Sequence, residues 1–475
     1  MAHPSPIVKP SLEEIMPIYQ ELFPRHKIQA LVKAAKVKLY WRVLTPLVVL
    51  WGFIIQRLQP DHSCDAVVCH LHSGAADDLD PADPHAEPLS QRLKSESTSA
   101  YVQGRNRLPL SLLQTMLHEV SRLMRRWLPA QGLWKGHAVR LLDGTTYRLL
   151  PKGDLLKNYG LANNQHGSSE WVLVRSVAAF CLYTQSVVAY TEGPTSISEK
   201  AMVKTLMQAD DVSDSLYLGD QGFGVYRPAQ TARACHKKVI LRVESKVAQA
   251  LQKRNSAQRY LKPGEERHLE WTPLPHNKVD PDLSPAPIAG RLIYAQITQA
   301  GFRPIDLYLF TTLRDDQLYL ASEIVTLYGQ RLRVEIDYRH LKTTLQMEEF
   351  EVQSTALFRK ELAAGLLTYN LICAFMVKAA LIADLPPSQL SFSRCWRRIR
   401  DFLLKGIPAW VYATQSVQTY LLQRLAKCKL AQQPNKVRYE PRKVRRRPAI
   451  YPHLKGDRKA ARQEVLNQFL VDPIS

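Results

Sequence analysis

The stretch Leu216-Tyr217-Leu218-Gly219-Asp220-Gln221-Gly222-Phe223 opens on an apolar run, reaches a carboxylate and then meets a glycine at which the chain can turn. A short apolar run bounded by turn residues predicts a buried strand, and helical spacing follows from Tyr226 to Ala234. The same logic applies upstream in Leu141-Leu142-Asp143-Gly144-Thr145-Thr146, which places Asp143 at the end of a central strand. Other strand-like runs lie at Ala138 to Leu142, Trp171 to Phe180, Gln185 to Thr191, Ser215 to Leu218 and Val239 to Val243, with helical spacing around Ile197 to Met207. Strands first, then alternating helix and strand, predict a mixed α/β domain that begins over 136–245.

The flanks have other textures. Residues 246–290 are polar, proline-bearing and weakly periodic, and strand-like Arg291 to Thr298 and Pro304 to Thr311 follow, so 246–318 is expected to be a β-rich insertion. Helical spacing resumes from Leu320 to about Leu345 and from Leu357 to Ile382, which assigns 319–385 to the second part of the interrupted domain. Upstream, 1–135 is mostly helical: Leu12 to Leu22, Ile28 to Leu31 and on to Leu58, then Leu110 to Trp127. Between these helices an acidic stretch at 72–99, with Asp80-Pro81, Asp83-Pro84 and Glu87-Pro88, predicts a mobile surface loop. The final region, 386–475, is basic and helical.

The 475 residues carry 64 Lys and Arg against 43 Asp and Glu, a formal net charge of +21, while 45% hydrophobic content excludes disorder of the whole chain. Such an excess biases the partner toward a polyanion, nucleic acid or an acidic membrane surface. Much of it falls at 436–462, where Lys436, Arg438, Arg442, Lys443, Arg445, Arg446, Arg447, Lys455, Arg458, Lys459 and Arg462 cluster. A run of charge is ordinarily a solvated tail; the interleaved Tyr439, Tyr451, Pro441, Pro448 and Pro452 favour a segment laid along a phosphate backbone. Val43 to Ile55, taken as the most apolar stretch, contains Pro46 and falls short of the roughly 18 to 20 residues of a membrane span. Met1 to Pro10 lacks the pattern of a secretory signal, so an intracellular protein is expected. Seven scattered cysteines fit reduced thiols.

Candidate chemistry lies on the helix predicted from Leu320. Tyr328, Arg331, Glu335 and Lys342 are spaced by three, four and seven, which puts them on one polar stripe. Leu327, Val334, Leu341 and Leu345 lie on one side of it, and Val325, Leu332 and Ile336 on the other. A surface helix with an ordinary Arg331–Glu335 pair is the plain alternative. Apolar flanks on both sides favour a buried, functional stripe instead. Together with Asp143 and Asp220, Glu335 makes a third carboxylate. Three ionised carboxylates within about 4 Å repel by roughly 4 kcal/mol per pair at an effective dielectric of 20, so they need cations. Hard oxygen donors suit Mg²⁺ or Mn²⁺, and two such ions serve phosphodiester cleavage.

These three motifs, in this order, resemble the DDE transposases of bacterial insertion sequences, in the large group named after insertion sequence four, whose signature matches Tyr328-x2-Arg331-x3-Glu335-x6-Lys342. Ser99 to Arg105 and Pro441-Arg442-Lys443 through Arg462 look like flanking segments of that group, so the resemblance covers about 100–465. It implies a ribonuclease-H-like catalytic domain interrupted by a β-rich insertion, with helical N-terminal and C-terminal regions. It implies that Asp143, Asp220 and Glu335 hold two Mg²⁺ or Mn²⁺ ions, while Tyr328, Arg331 and Lys342 hold phosphates near the transposon end. The implied partners are double-stranded DNA, at the element ends and the target, and a second copy of the chain in a synaptic homodimer. The implied location is the bacterial cytoplasm, at the nucleoid, with no membrane partner. End recognition by 1–135, and DNA contact and synapsis by 386–475, are expected from position and helical character.

Several residues allow plainer readings. Cys64-x4-Cys69-His70-x-His72 matches no standard zinc spacing and is read as structural. His166 is read as a polar loop histidine, and Trp271, a candidate for receiving a flipped base, as core. Asp154, Asp210, Asp211, Asp214, Asp337, Glu348 and Glu349 are alternative carboxylates; Asp337 falls about 200° around the helix from Glu335. A metal-dependent, structure-specific nuclease without strand transfer and a catalytically inactive DNA-binding derivative remain alternative functions.

Overall fold

The computed structural model describes residues 24–36, 43–74, 76–77, 79, 87–164, 167–257, 259–273, 279–297, 304–404, 416–430 and 457–471. The helix expected at Leu12 to Leu22, His166, and Arg442, Lys443, Arg445, Arg446 and Arg447 lie outside them.

Among the described residues a ten-stranded mixed sheet organises the chain, its shortest strand being Glu349–Phe350, which pairs with the end of Val139–Leu149. Strand β1 (Val139–Leu149) lies between β3 (Gly167–Cys181), antiparallel to it, and β5 (Leu216–Gly219), parallel to it. On the β3 side follow β2 (Leu161–Asn164) and β4 (Val187–Pro194). On the β5 side, β6 (Lys238–Val243) continues in parallel, and the two crossovers are built on helices Glu199–Ala209 and Tyr226–Ala234. All four residues of β5 are buried, as a continuous apolar run in a strand covered on both faces should be. Side chains alternate between two cores: Leu141, Leu216 and Leu218 enter one, Leu142 and Tyr217 the other.

The insertion differs from its expected form. It opens on a helix, Ser245–Arg254, whose burial rests on only Ala248, Leu251 and Gln252, too sparse a pattern to stand out in the sequence. Its strands β7 (Glu266–Trp271), β8 (Ile288–Ile297) and β9 (Ile305–Thr311) then extend the same sheet, because β9 pairs antiparallel with β6. Trp271 is core, edge-on to Phe310 with ring centroids 4.7 Å apart.

One face of the sheet is covered by the 29-residue helix Thr355–Ala383, buried along most of its length. It is longer than Val43 to Ile55, and by length and composition it could cross a membrane; here it packs against helices Leu110–Arg126, Pro46–Leu58 and Ser416–Ala426 as a core element. Its Asn370 pairs with the backbone N–H and C=O of Val187, both at 2.8 Å, which pins it to the start of β4. Its Glu361, buried, accepts from Arg57 at 2.7 Å and from Arg105. Arg105 belongs to the Ser99–Arg107 helix, so the basic residue of that family-like segment is committed to an internal ion pair. Gly52 and Gly104 permit the close approach, since a Cβ at either would fall within 2.5 and 2.8 Å of Tyr101 and Val49.

The acidic stretch after His72 is tied down in part: Ser90 donates twice to Asp77, and Leu89 and Leu93 are buried. Cys64 to His72 form a helix in which Cys69 is exposed, and no metal-binding group of His, Cys, Asp or Glu forms among the described residues. His70 is buried and accepts from the Trp51 indole N–H at 3.2 Å, which requires a neutral ring nitrogen. Burial holds its pKa down, from 6.5 to about 4. The stability this ring contributes is therefore present above pH 6.5 and lost as pH falls toward 4, by up to roughly 3 kcal/mol. Urea unfolding between pH 7 and 4 should show that decline, and His70→Gln should make it shallower, with His62 and His340, also held down to about 4 by burial, supplying the rest.

Candidate active site

Register alone brings two acids together. Leu141 of β1 pairs with Leu218 of β5 in parallel, and Asp143 and Asp220 each lie two residues further along. Parallel neighbours advance side by side with a period of two, so both carboxylates emerge at one edge on the face of Leu141 and Leu218. Asp143 is not at the end of its strand as expected. Pairing with β3 carries β1 on through Gly144↔Val177 to Leu149, and the Asp-Gly pair makes no turn. Asp220 does end a strand, and its Oδ1 accepts from the Phe223 N–H at 3.3 Å. Gly224 completes this turn, where a Cβ would come within 1.9 Å of the Arg242 carbonyl oxygen.

The third acid rides on a broken helix. Ala321–Gly329 is α-helical, Gln330–Leu332 tightens to a 3-10 turn, Arg333–Arg339 returns to α, and His340–Thr344 widens to a π turn. The single continuous helix expected over Leu320 to Leu345 is thus corrected, and so is its pair of apolar flanks. Leu327, Val334, Leu341 and Leu345 are buried, but Leu332 is 63% exposed and Ile336 45% exposed. Helical spacing gives direction around an axis but not which directions find a neighbour.

Arg331 stands at the centre. Its Nη2 lies 3.0 Å from Asp143 Oδ1 and 3.5 Å from Asp220 Oδ2, and its Nη1 lies 3.6 Å from Glu335 Oε1. The three predicted acids converge on one guanidinium, which is itself buried. Among the described residues no three His, Cys, Asp or Glu side chains are already drawn into metal-ligand geometry; the acids are spaced by the arginine. Burial raises the Asp143 pKa to about 6, against the lowering effect of Arg331, and Asp220 and Glu199 push it the same way as burial. Tyr338 donates its hydroxyl to the Asp143 carbonyl at 3.0 Å and steadies the strand there.

Tyr328 is buried at the rim of this group, and its phenol is pushed up to about 12, first by burial and then by Asp220 against Arg331 and Arg242. Lys342 is not brought to the acids. It sits on the π turn under the influence of Glu348 and Arg148, and burial lowers its pKa. Asp337 faces the other way as its helical phase requires: it is buried, accepts from the Tyr369 hydroxyl at 3.2 Å, and burial lifts it to about 8. Asp210 is engaged by Arg140, Ser215 and Tyr217, and Asp154 accepts from the Thr355 N–H, so neither is free to join the site.

Sequence reasoning missed a fourth acid. Glu199, in the first turn of helix Glu199–Ala209, lies so close to Gly144 that a Cβ there would fall 2.3 Å from its carboxyl carbon. Arg175 Nε holds it at 3.8 Å, and its pKa is raised by burial and by Asp220. The one available signal was Gly144 itself, a residue without a side chain beside the first acid.

Residues 134–371, half of the chain, match a family model described as "Transposase DDE domain". Over 100 residues the chain is 32% identical to transposase InsG for insertion sequence element IS4 of Escherichia coli (strain K12), a match that spans 20% of this chain and 23% of that relative. A solved structure, the cryo-EM structure of piggyBac transposase synaptic complex with hairpin DNA, is similar at TM-score 0.39 and 11% identity, over 88% of this chain and 85% of that one.

Proposed function

Because this chain belongs to the transposase DDE domain family, we propose that it binds the terminal inverted repeats of its own insertion sequence, cleaves DNA there and joins the freed 3′ ends to target DNA. The observation that carries this reading is the convergence of Asp143, Asp220 and Glu335 on one cationic group. Side chains that far apart in the sequence, gathered around a positive charge and made only of hard oxygen donors, fit Mg²⁺ or Mn²⁺. A pair of such ions would activate the attacking oxygen and stabilise the leaving one.

The chain's own groups supply the rest. Glu335, 58% exposed in its side chain, stands where DNA can approach, while Asp143 is set back in the strand. Tyr328, Arg331 and Lys342 would hold backbone phosphates, and the basic segment with Arg442, Lys443, Arg445, Arg446 and Arg447 would track the duplex. The order β4-β3-β1-β5-β6, three antiparallel strands and then two parallel ones reached through helices, supports a ribonuclease-H-like catalytic domain over 136–245 and 319–385, with 246–318 inserted. Two copies would pair the two ends, acting on the bacterial nucleoid in the cytoplasm.

Purified protein incubated with labelled element-end duplex and Mg²⁺ should nick and then join. Nicking alone would favour a nuclease without strand transfer, and retention without cleavage a binding derivative. Neutralising the five basic residues Arg442, Lys443, Arg445, Arg446 and Arg447 should weaken end binding and flatten its salt dependence, by about 0.9 in log K against log salt for each phosphate that is no longer neutralised. An unaltered slope in a filter-binding titration would return that segment to the solvated tails.

A further inference from the structure

We propose that Arg331 is a built-in stand-in for the metal ions, holding Asp143, Asp220 and Glu335 together until divalent cations displace it and turn it toward a DNA phosphate. This rests on the reading of the three acids as metal ligands. The guanidinium is shared thinly: only its approach to Asp143, at 3.0 Å, is a close one, and those to Asp220 and Glu335 stretch to 3.5 and 3.6 Å. Its Nε is buried with no hydrogen-bond partner among the described residues, so the pose is held by charge rather than by a complete set of bonds. One positive charge stands among three acids, with Glu199 close by as a fourth. Divalent ions would neutralise that excess better and, once seated, would repel a cation a few ångströms away.

The backbone provides for such a movement. Arg331 lies in the 3-10 turn Gln330–Leu332 between two α segments, the place in this element where helical hydrogen bonding is already altered. Gly329 precedes it, with nothing within 4 Å of where a Cβ would be, and Leu332 beside it is exposed. The turn can therefore shift without unpacking Leu327 and Val334, which anchor the segments on either side. Metal loading and phosphate grip would then be linked through one side chain.

The test is Mn²⁺ binding to the full chain without DNA, followed by isothermal titration calorimetry. Arg331→Met should bind Mn²⁺ about tenfold or more tightly than the unaltered chain, because a competing cation has been removed, while Arg331→Lys, which keeps the charge, should stay near the unaltered affinity. Thermal unfolding should show Arg331→Met less stable in chelator and raised further by Mn²⁺ than the unaltered chain. Equal or weaker Mn²⁺ binding by Arg331→Met, with Asp143→Asn abolishing binding, would overturn the stand-in and leave the metal site standing. Indistinguishable binding by the unaltered chain and Asp143→Asn would overturn the metal reading and the stand-in with it. Should Arg331→Met fail to fold, hydrogen exchange on the unaltered chain decides: amides at 329–332 should exchange faster with Mn²⁺, and unchanged exchange overturns the proposal.

Discussion

Replacing Asp143, Asp220 or Glu335 by Ala leaves binding of element-end duplex largely intact and removes cleavage, by a factor expected to exceed about a thousand for each residue. The size follows from the fact that, among the described residues, only these three acids pair with Arg331: Glu199 stands against Gly144 and pairs with Arg175, and Asp337 is turned into the core. Folding should not suffer in proportion. Asp143 has its pKa lifted to about 6 chiefly by burial, so its charge is held at a cost, while its removal also takes the one close partner from the buried Arg331; the two effects oppose each other and the thermal midpoint should move little. Strand cleavage and melting temperature measured on the same preparations separate the two effects. Undiminished cleavage in any one variant removes that residue from the site, and a collapse of the melting temperature would mean that the acid is structural.

The largest loss of stability is expected far from the acids, at Glu361. Two buried arginines converge on this carboxylate from helices Pro46–Leu58 and Ser99–Arg107, and the residue itself sits on the long helix Thr355–Ala383. Glu361→Ala strands both guanidinium groups in a low-dielectric interior, which costs about 3 to 5 kcal/mol. Replacing Arg57 and Arg105 by Met in the same background should recover much of it, since the penalty belongs to the unpaired charges and not to the missing attraction. Urea unfolding of the three proteins measures this. A loss below about 1 kcal/mol in Glu361→Ala would show that water reaches the pair.

Much of the sheet was legible because burial on both faces leaves an unmistakable composition: β5 and β6 fall where their apolar runs predict them, and Tyr226–Ala234 was bounded to the residue. Strand length was less so. Nothing in Asp143-Gly144-Thr145-Thr146 announces that β3 will pair with it, so these residues by themselves predict a turn. The signature helix kept its spacing in the sequence, but its 3-10 break turned Arg331 inward and Leu332 outward, a result of packing that no local pattern encodes. Lys342 shows the same limit: it lies on the π turn, where an ideal α-helical phase no longer applies. Arg105, in a family-like segment of a basic chain, proved to be an internal partner of a residue 256 positions away. Glu199 lay beyond reach because its place depends on how β4 returns the chain against Gly144.

Because β7, β8 and β9 join the ladder of β6 without interruption, the outermost strand stands at a fixed remove from Asp143. Five steps separate β1 from β7, and at roughly 4.8 Å per step that is about 24 Å along the ladder. Substitutions in the loops that join these strands should leave that distance unchanged, since backbone pairing and not side chains sets it.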